Sequence, residues 1–386
     1  MTTSSQAGDA GTLAASLLAA ALLLPGVAQA ENAPENGSIG LRYLDYADRQ
    51  PGLDRIHARS PSVSVMAPVA GDWAVEGTIV ADAVSGASPR YHTAISGASH
   101  MADNRKAADV GVTRYFHRAT LTLGGAFSGE HDYVSRALSL NGTLSSEDNN
   151  TTWAFGVAGS RDSINPVNRI VVGERKRTAS VLAGVTQVLS PNDIGQVTLT
   201  HTRGNGYFDD PYKLFDHRPR DRRQDTLLVR WNHYLDATGA TARLSYRWYG
   251  DSYRIRAHTF GAEYVQPLGD ALGGGWTVVP ELRLYSQSAA SFYYDPAPDG
   301  TPGGLFPPGY VAGPGQPFSS PDQRLSGFGA VTAGLKVVRA LNRWWTLDVK
   351  FEQYEQRGSW RLFHDGSPGL APLYARTLQV GVTRQW

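Results

Sequence analysis

The last fourteen residues, Leu373-Tyr-Ala-Arg-Thr-Leu-Gln-Val-Gly-Val-Thr-Arg-Gln-Trp386, decide how the rest is read. Leu378, Val380 and Val382 alternate with Thr377, Gln379, Gly381 and Thr383. A period of two marks a strand with one apolar and one polar face. Just upstream, Trp345, Leu347, Val349 and Phe351 alternate with Thr346, Asp348, Lys350 and Glu352. Further back, Leu282 and Leu284 face away from Glu281 and Arg283, and Val197 and Leu199 from Gln196, Thr198 and Thr200.

Followed along the chain, the alternation predicts sixteen strands, at 37–46, 56–67, 73–84, 106–116, 119–130, 133–144, 151–161, 177–189, 194–204, 225–235, 240–252, 254–266, 276–293, 322–338, 343–356 and 373–386. Strands in soluble sandwiches average about five or six residues. These are long enough to cross a membrane at a tilt. The connections sort by parity. Pro68–Asp72, His117-Arg118, Ser145–Asn150, Ser190–Asp193, Asp236–Gly239, Pro267–Gly275 and Arg339–Asn342 are short. The long ones, Ser85–Arg105, Asp162–Lys176, Asn205–Gln224, Tyr294–Pro321 and Arg357–Pro372, all fall on odd positions. Short periplasmic turns alternating with long extracellular loops are how transmembrane antiparallel β-barrels are built. The fold expected is therefore all-β, a barrel of about 16 strands (14–16), spanning 31–386 as one domain.

Composition agrees. Of the 386 residues 41% are apolar, 18% charged and 10% aromatic, with a formal net charge of +1. That mixture excludes a bundle of apolar membrane helices and a disordered chain, and gives no reason to expect nucleic acid as a partner. The absence of Cys removes disulfides, Cys-bound zinc, iron–sulfur clusters and covalent haem attachment, and no cofactor or metal site is expected. Leu13 to Leu24 is built of Ala, Leu and Ser, and Ala28-Gln29-Ala30 follows as a small-x-small cleavage pattern. Residues 1–30 therefore read as an export signal, although no Lys or Arg precedes Arg42.

Trp73, Trp153, Trp231, Trp276, Trp344, Trp345 and Trp386 lie near the short turns or the C-terminus, as a girdle at the headgroup level would. Tyr133, Tyr207, Tyr249, Tyr253, Tyr293 and Tyr294 gather at the opposite rim. If the aliphatic face meets lipid, the alternate face lines a lumen. It then carries Arg42, Arg230, Arg243, Arg247, Arg283, Arg324, Lys336 and Lys350 together with Glu76, Asp82, Glu263, Glu281, Asp348 and Glu352. Each would cost roughly 2–4 kcal/mol at the midplane of a bilayer, so they need water or one another. About sixteen strands enclose an aqueous channel. The segment 254–266 would put His258 on the lipid face, and a bulge is expected there. Asp82, Glu130, Asp132, Asp162, Asp209, Asp210 and Asp251 gather at the outer rim, suited to turn capping or to divalent cations. The Tyr294–Pro321 loop holds eight Pro and six Gly, and it or Ser85–Arg105 is expected to fold inward and constrict the lumen.

Leu378, Val380, Val382 and the terminal Trp386 resemble the C-terminal signal read by the outer-membrane barrel-assembly machinery, with Arg384 where an apolar residue is commoner. Several short motifs resemble the domain-of-unknown-function 3570 family: Ala83-Val84-Ser85-Gly86-Ala87-Ser88-Pro89 with its echo Ala94-Ile95-Ser96-Gly97-Ala98-Ser99, Glu130-x-Asp132-Tyr133 and Asp210-Pro211-Tyr212-Lys213. Tyr246-Arg247-Trp248-Tyr249, Arg283-Leu284-Tyr285-Ser286-Gln287 and Arg324-Leu325-Ser326 extend the likeness over most of the chain. The resemblance implies a Gram-negative outer-membrane barrel, in contact with lipid and lipopolysaccharide, and hints at a redox-related periplasmic setting.

Three functions compete. A wide, wet, mixed-charge lumen points to a weakly selective pore. Lumenal Arg and Tyr would also suit a sheath around a periplasmic or lipoprotein partner. Ser85, Ser88, Ser96 and Ser99 with His92 and His100 supply the residue types of a hydrolase, but Ser/Gly/Ala is ordinary loop composition, and no catalytic role is expected.

Overall fold

Segments with one oily and one wet face leave unpaired backbone along both edges, and pairing them in sequence until the ends meet removes every edge. The computed structural model describes residues 32–86, 101–213, 215–270, 273–295, 307, 309–311 and 315–386. Its strands are β1 (Ser38–Gln50), β2 (Leu53–Val69), β3 (Trp73–Gly86), β4 (Met101–Tyr115), β5 (Ala119–Gly129), β6 (Tyr133–Ser145), β7 (Thr151–Ile164) and β8 (Glu174–Ser190). The second half adds β9 (Asp193–Gly206), β10 (Asp221–Leu235), β11 (Ala240–Asp251), β12 (Arg256–Pro267), β13 (Trp276–Gln287), β14 (Phe328–Ala340), β15 (Trp345–Arg357) and β16 (Leu373–Gln385). Every strand pairs with its sequence neighbours and β1 pairs with β16, closing a sixteen-strand barrel. The protein is a transmembrane antiparallel β-barrel. Among the described residues no helix is long and apolar enough to cross a membrane, and the crossing is made by strands.

The seam joins the two ends of the sequence in antiparallel register, from Ser38 opposite Gln385 to Arg49 opposite Tyr374. Gly37 and Trp386 exchange backbone hydrogen bonds of 3.2 and 3.1 Å beyond it. The indole lies over Gly37, where a Cβ would come within 2.4 Å of the ring. Among the seven short turns, the one between β2 and β3 runs through Ala70 (φ 50°) and Gly71 (φ 76°), the left-handed pair that matches strand twist in a tight hairpin.

The apolar rows point away from the ring and are open to its surroundings. Leu138 is 68% and Ile79 64% exposed, with Leu123, Phe155, Leu199, Leu282, Val380 and their neighbours on the same outer face. A soluble protein does not display a continuous apolar belt of this extent; lipid accounts for it. Trp73, Trp153, Trp231, Trp344, Trp345 and Trp386 are exposed near the turn end of the ring. Arg384 sits there too, its guanidinium 5.5 Å over the Trp345 ring, which reconciles a charge with the outer row of β16.

Two sequence expectations need correction. The segments 276–293 and 322–338 were expected to be unbroken strands, but β13 stops at Gln287 and β14 starts only at Phe328. Asp322 caps a 3-10 turn, Gln323–Leu325, by accepting from the Arg324 backbone N–H at 3.0 Å, and this breaks the run. Arg324 therefore belongs to a loop and not to the lumenal face of a strand. No bulge relieves His258, because the β11–β12 and β12–β13 registers run through it unshifted. Instead it shares a 2.8 Å hydrogen bond with the Tyr246 hydroxyl on the same outer face. The tyrosines expected at the opposite rim are held by the protein itself. Tyr207, Tyr253 and Tyr294 are buried, and the Tyr133 hydroxyl donates to Asp162 at 2.6 Å.

Candidate functional site

Register places charge on the inner wall in a single rung. Arg243 on β11 lies opposite Glu263 on β12, which lies opposite Glu281 on β13, then Gly334 on β14 and Glu352 on β15. Three carboxylates on one rung repel unless cations intervene. Lys350 supplies one, its Nζ 2.7 Å from Glu281 and 3.4 Å from Glu352. Gly334 makes that reach available, since a Cβ there would lie 3.2 Å from Glu352 Cγ and 3.5 Å from Glu281. Arg243 supplies the other at 3.7 Å from Glu263.

The other expected lumen residues follow the same parity. Arg105 grips Asp82 at 2.6 Å, Arg230 donates to Gln196 at 3.1 Å, and Arg283 donates to Thr332 at 3.2 Å. The Arg247 guanidinium lies 5.7 Å over Tyr249, Lys336 is the register partner of Lys350, and Arg42 and Asp348 flank Gly381. Glu76 stands beside Gly111. Removing one cation from this wall should be legible in current. In Lys350→Ala, Glu281 and Glu352 lose their shared partner, and the reversal potential across a KCl gradient should move toward that of a cation-selective channel. Unaltered selectivity would remove Lys350 from the conduction path.

Above this wall the loops are tied into a roof. Asp322 is fully buried, accepting from Arg218 Nη2 at 2.7 Å and from Arg324 Nε at 2.8 Å. Lys213 Nζ lies 2.9 Å from Asp210 and 3.4 Å from Asp322, and Arg324 Nη2 reaches Asp210 at 2.9 Å. Asp216 holds Arg218 Nε at 2.9 Å, and Asp209 accepts from the Arg218 backbone N–H at 2.7 Å. Burial pushes the Asp322 and Asp210 carboxyls up, but the surrounding Arg324, Lys213 and Arg218 outweigh it and hold both below the usual carboxylate range. Asp216 and Asp322 likewise outweigh the burial of Arg218 and hold its guanidinium firmly protonated.

Backbone pairing locks the same two loops, with His217 and Ser319 exchanging hydrogen bonds of 2.7 and 2.9 Å. On its other side the 207–220 loop reaches the β5–β6 turn, where the Tyr212 hydroxyl donates to Asp132, and the β7–β8 loop, where Asn168 donates to the Pro211 carbonyl at 2.8 Å. The β5–β6 and β13–β14 junctions are half a ring apart. Residues 210–213 touch both, so the linked loops span the mouth from one wall to the other. The β15–β16 loop tucks in as well, with Leu370 packed on Phe328, Ala330, Tyr285 and Tyr354.

The motifs that the sequence offered separately thus meet. Asp132, Asp210, Tyr212, Lys213 and Arg324 form the network just described, and Gln287 donates to the Arg324 and Ser326 carbonyls at 3.0 and 2.6 Å while accepting from Tyr285 at 2.6 Å. Asp216, Arg218 and Asp322, its centre, were missed by sequence reasoning. The rim carboxylates Asp82, Asp162, Asp210 and Asp251 are engaged with Arg105, Lys176, Lys213 and Arg222. Among the described residues no group of three or more His, Cys, Asp or Glu could hold a metal ion. The serines and histidines at 88–100, the segment 1–30 and much of Tyr294–Pro321 lie outside the described residues.

The family model described as "Protein of unknown function (DUF3570)" matches residues 97–373, which includes every strand from β4 to β15 and the whole roof. The chain belongs to the DUF3570 family. No curated protein matches the sequence. Among solved structures it is similar to a bacterial polysaccharide outer membrane secretin (TM-score 0.51, 10% identity, covering 90% of this chain and 98% of that one). It is also similar to OccK2 (OpdF) of Pseudomonas aeruginosa (TM-score 0.44, 10% identity, 92% and 99% covered). The siderophore receptor PirA from Pseudomonas aeruginosa gives a TM-score of 0.45 at 8% identity, with 92% and 81% covered. These are likenesses of fold, and the fold is that of outer-membrane proteins.

Proposed function

We propose that this DUF3570 member is an outer-membrane channel for small hydrophilic solutes, with a lumen of mixed charge and a loop roof that limits passage. The observation that carries the reading is the rung Arg243, Glu263, Glu281, Gly334 and Glu352 with Lys350. A wall so charged needs water along it, and a ring of sixteen strands is wider than its own side chains fill. The reading assigns no catalytic residue. On it, residues 1–30 direct export and are removed after Ala30, and Leu378, Val380, Val382 and Trp386 guide insertion by the assembly machinery.

Purified protein in planar bilayers should give discrete conductance steps, and silence from both the native chain and a roof-opened variant would overturn the reading. A second reading is favoured by one feature. Among the described residues the periplasmic end carries only short turns, so a periplasmic or lipoprotein partner could seat there and make the barrel its sheath. Co-purification from outer membranes followed by mass spectrometry separates the two, because a channel isolates alone.

A further inference from the structure

Arg136 on β6, Arg161 on β7 and Arg177 on β8 are direct register partners on one rung of the outer face. All three are exposed, and they share that face with Leu138, Phe155, Val157 and Val181. None has an ion-pair or hydrogen-bond partner among the described residues. The nearest carboxylate along the rung, Asp221, lies beyond Asn205, from which it accepts a hydrogen bond at 3.0 Å. Like charges set side by side on adjacent strands destabilise a sheet unless something neutralises them.

Height identifies the neutralising group. Arg161 lies eight residues from Trp153 along β7. That is roughly 26 Å of strand at about 3.3 Å per residue, or about 20 Å of height at the usual barrel tilt. With Trp153 at the inner interface, the three guanidiniums stand where the outer apolar band gives way to headgroups. The three arginines themselves line an open depression of about 1110 Å³, together with Val110, Phe127, Leu138, Gly125 and Gly159 and with Asp109 at its edge.

We infer that this face is a binding site for a phosphorylated, multiply acylated glycolipid of the outer leaflet. Its phosphate bridges Arg136, Arg161 and Arg177, and an acyl chain lies in the glycine-floored depression. Guanidiniums suit phosphate because they present paired donors in a plane. The site is independent of what passes through the lumen.

The test incubates the purified barrel with diphosphorylated glucosamine-disaccharide lipid, with its dephosphorylated form, or with inorganic phosphate. Retained lipid is then counted by native mass spectrometry. The native chain should keep the phosphorylated lipid and lose it about tenfold more readily for each arginine changed to glutamine, the loss expected when one charge-assisted contact goes. Arg161→Lys should keep part of the binding. Leu138→Trp, which projects bulk into the depression and leaves the arginines intact, should lower it. Each variant's heat-dependent gel shift reports that the barrel has folded. Equal retention of the dephosphorylated lipid, full competition by millimolar inorganic phosphate, or unchanged retention by the triple glutamine variant would overturn the site.

Discussion

Arg218→Ala should open the mouth of the barrel. The substitution leaves the buried Asp216 without its cation and takes one of three from Asp322, where Arg324 and Lys213 remain, and removing one partner of a buried ion pair costs about 3–5 kcal/mol. Because about 1.4 kcal/mol is tenfold in a population, the tied state of the loops should fall by two orders of magnitude or more. The barrel wall should stay folded, since its strands close on one another without the loops. Single-channel conductance should therefore rise sharply while the heat-dependent gel shift is retained. Asp322→Asn should act the same way by leaving Arg218, Arg324 and Lys213 without their shared carboxylate. An unchanged conductance in both variants would mean that the roof does not lie on the path.

Acid should do what these substitutions do, and the sign is fixed by the direction of the shift. Asp322 and Asp210 are held below their ordinary range, so the stability they lend is complete above the unfolded carboxylate value of about 3.9. It is lost only as the pH falls through their lower folded values. The roof should hold from neutral pH past that value and release in stronger acid. Asp209 opposes this weakly, because burial raises its carboxyl and its charge is tolerated less well in the folded loop.

Val380→Arg should prevent or reverse closure of the ring. Val380 is exposed on the outer row of β16, between Tyr43 of β1 and Val349 of β15. A cation there would cost about 2–4 kcal/mol in hydrocarbon, and it would weigh on the seam that shuts the barrel. The folded band on a cold gel should diminish and the urea midpoint in lipid vesicles should fall. Thr377→Arg faces the lumen from the same strand and should be tolerated. A normal folded yield of the Val380 variant would argue that β16 does not face lipid.

The wall was legible in the sequence because its code is local: alternation gives the strand, parity of loop length gives the side, and Trp position gives the inner edge. Strand ends drifted where a cap interrupted an otherwise alternating run, as at Pro321-Asp322. The roof was not legible. Its contacts join residues 80 apart for Tyr212 and Asp132, 104 for Arg218 and Asp322, and 114 for Arg324 and Asp210. No spacing rule links such positions, and the short motifs holding them looked like ordinary turn chemistry until the ring brought them together. Arg136, Arg161 and Arg177 escaped for a related reason. Each sits toward the end of its own strand's apolar row, and their alignment exists only in the register.

The eight-residue interval between Trp153 and Arg161 recurs on β10 between Trp231 and Arg223. Two separate strands thus carry the same ruler, and it measures bilayer thickness. A ring so marked is matched to a thin hydrocarbon slab; in a thicker one it would have to drag its arginines beneath the surface or pinch the lipid around its girth.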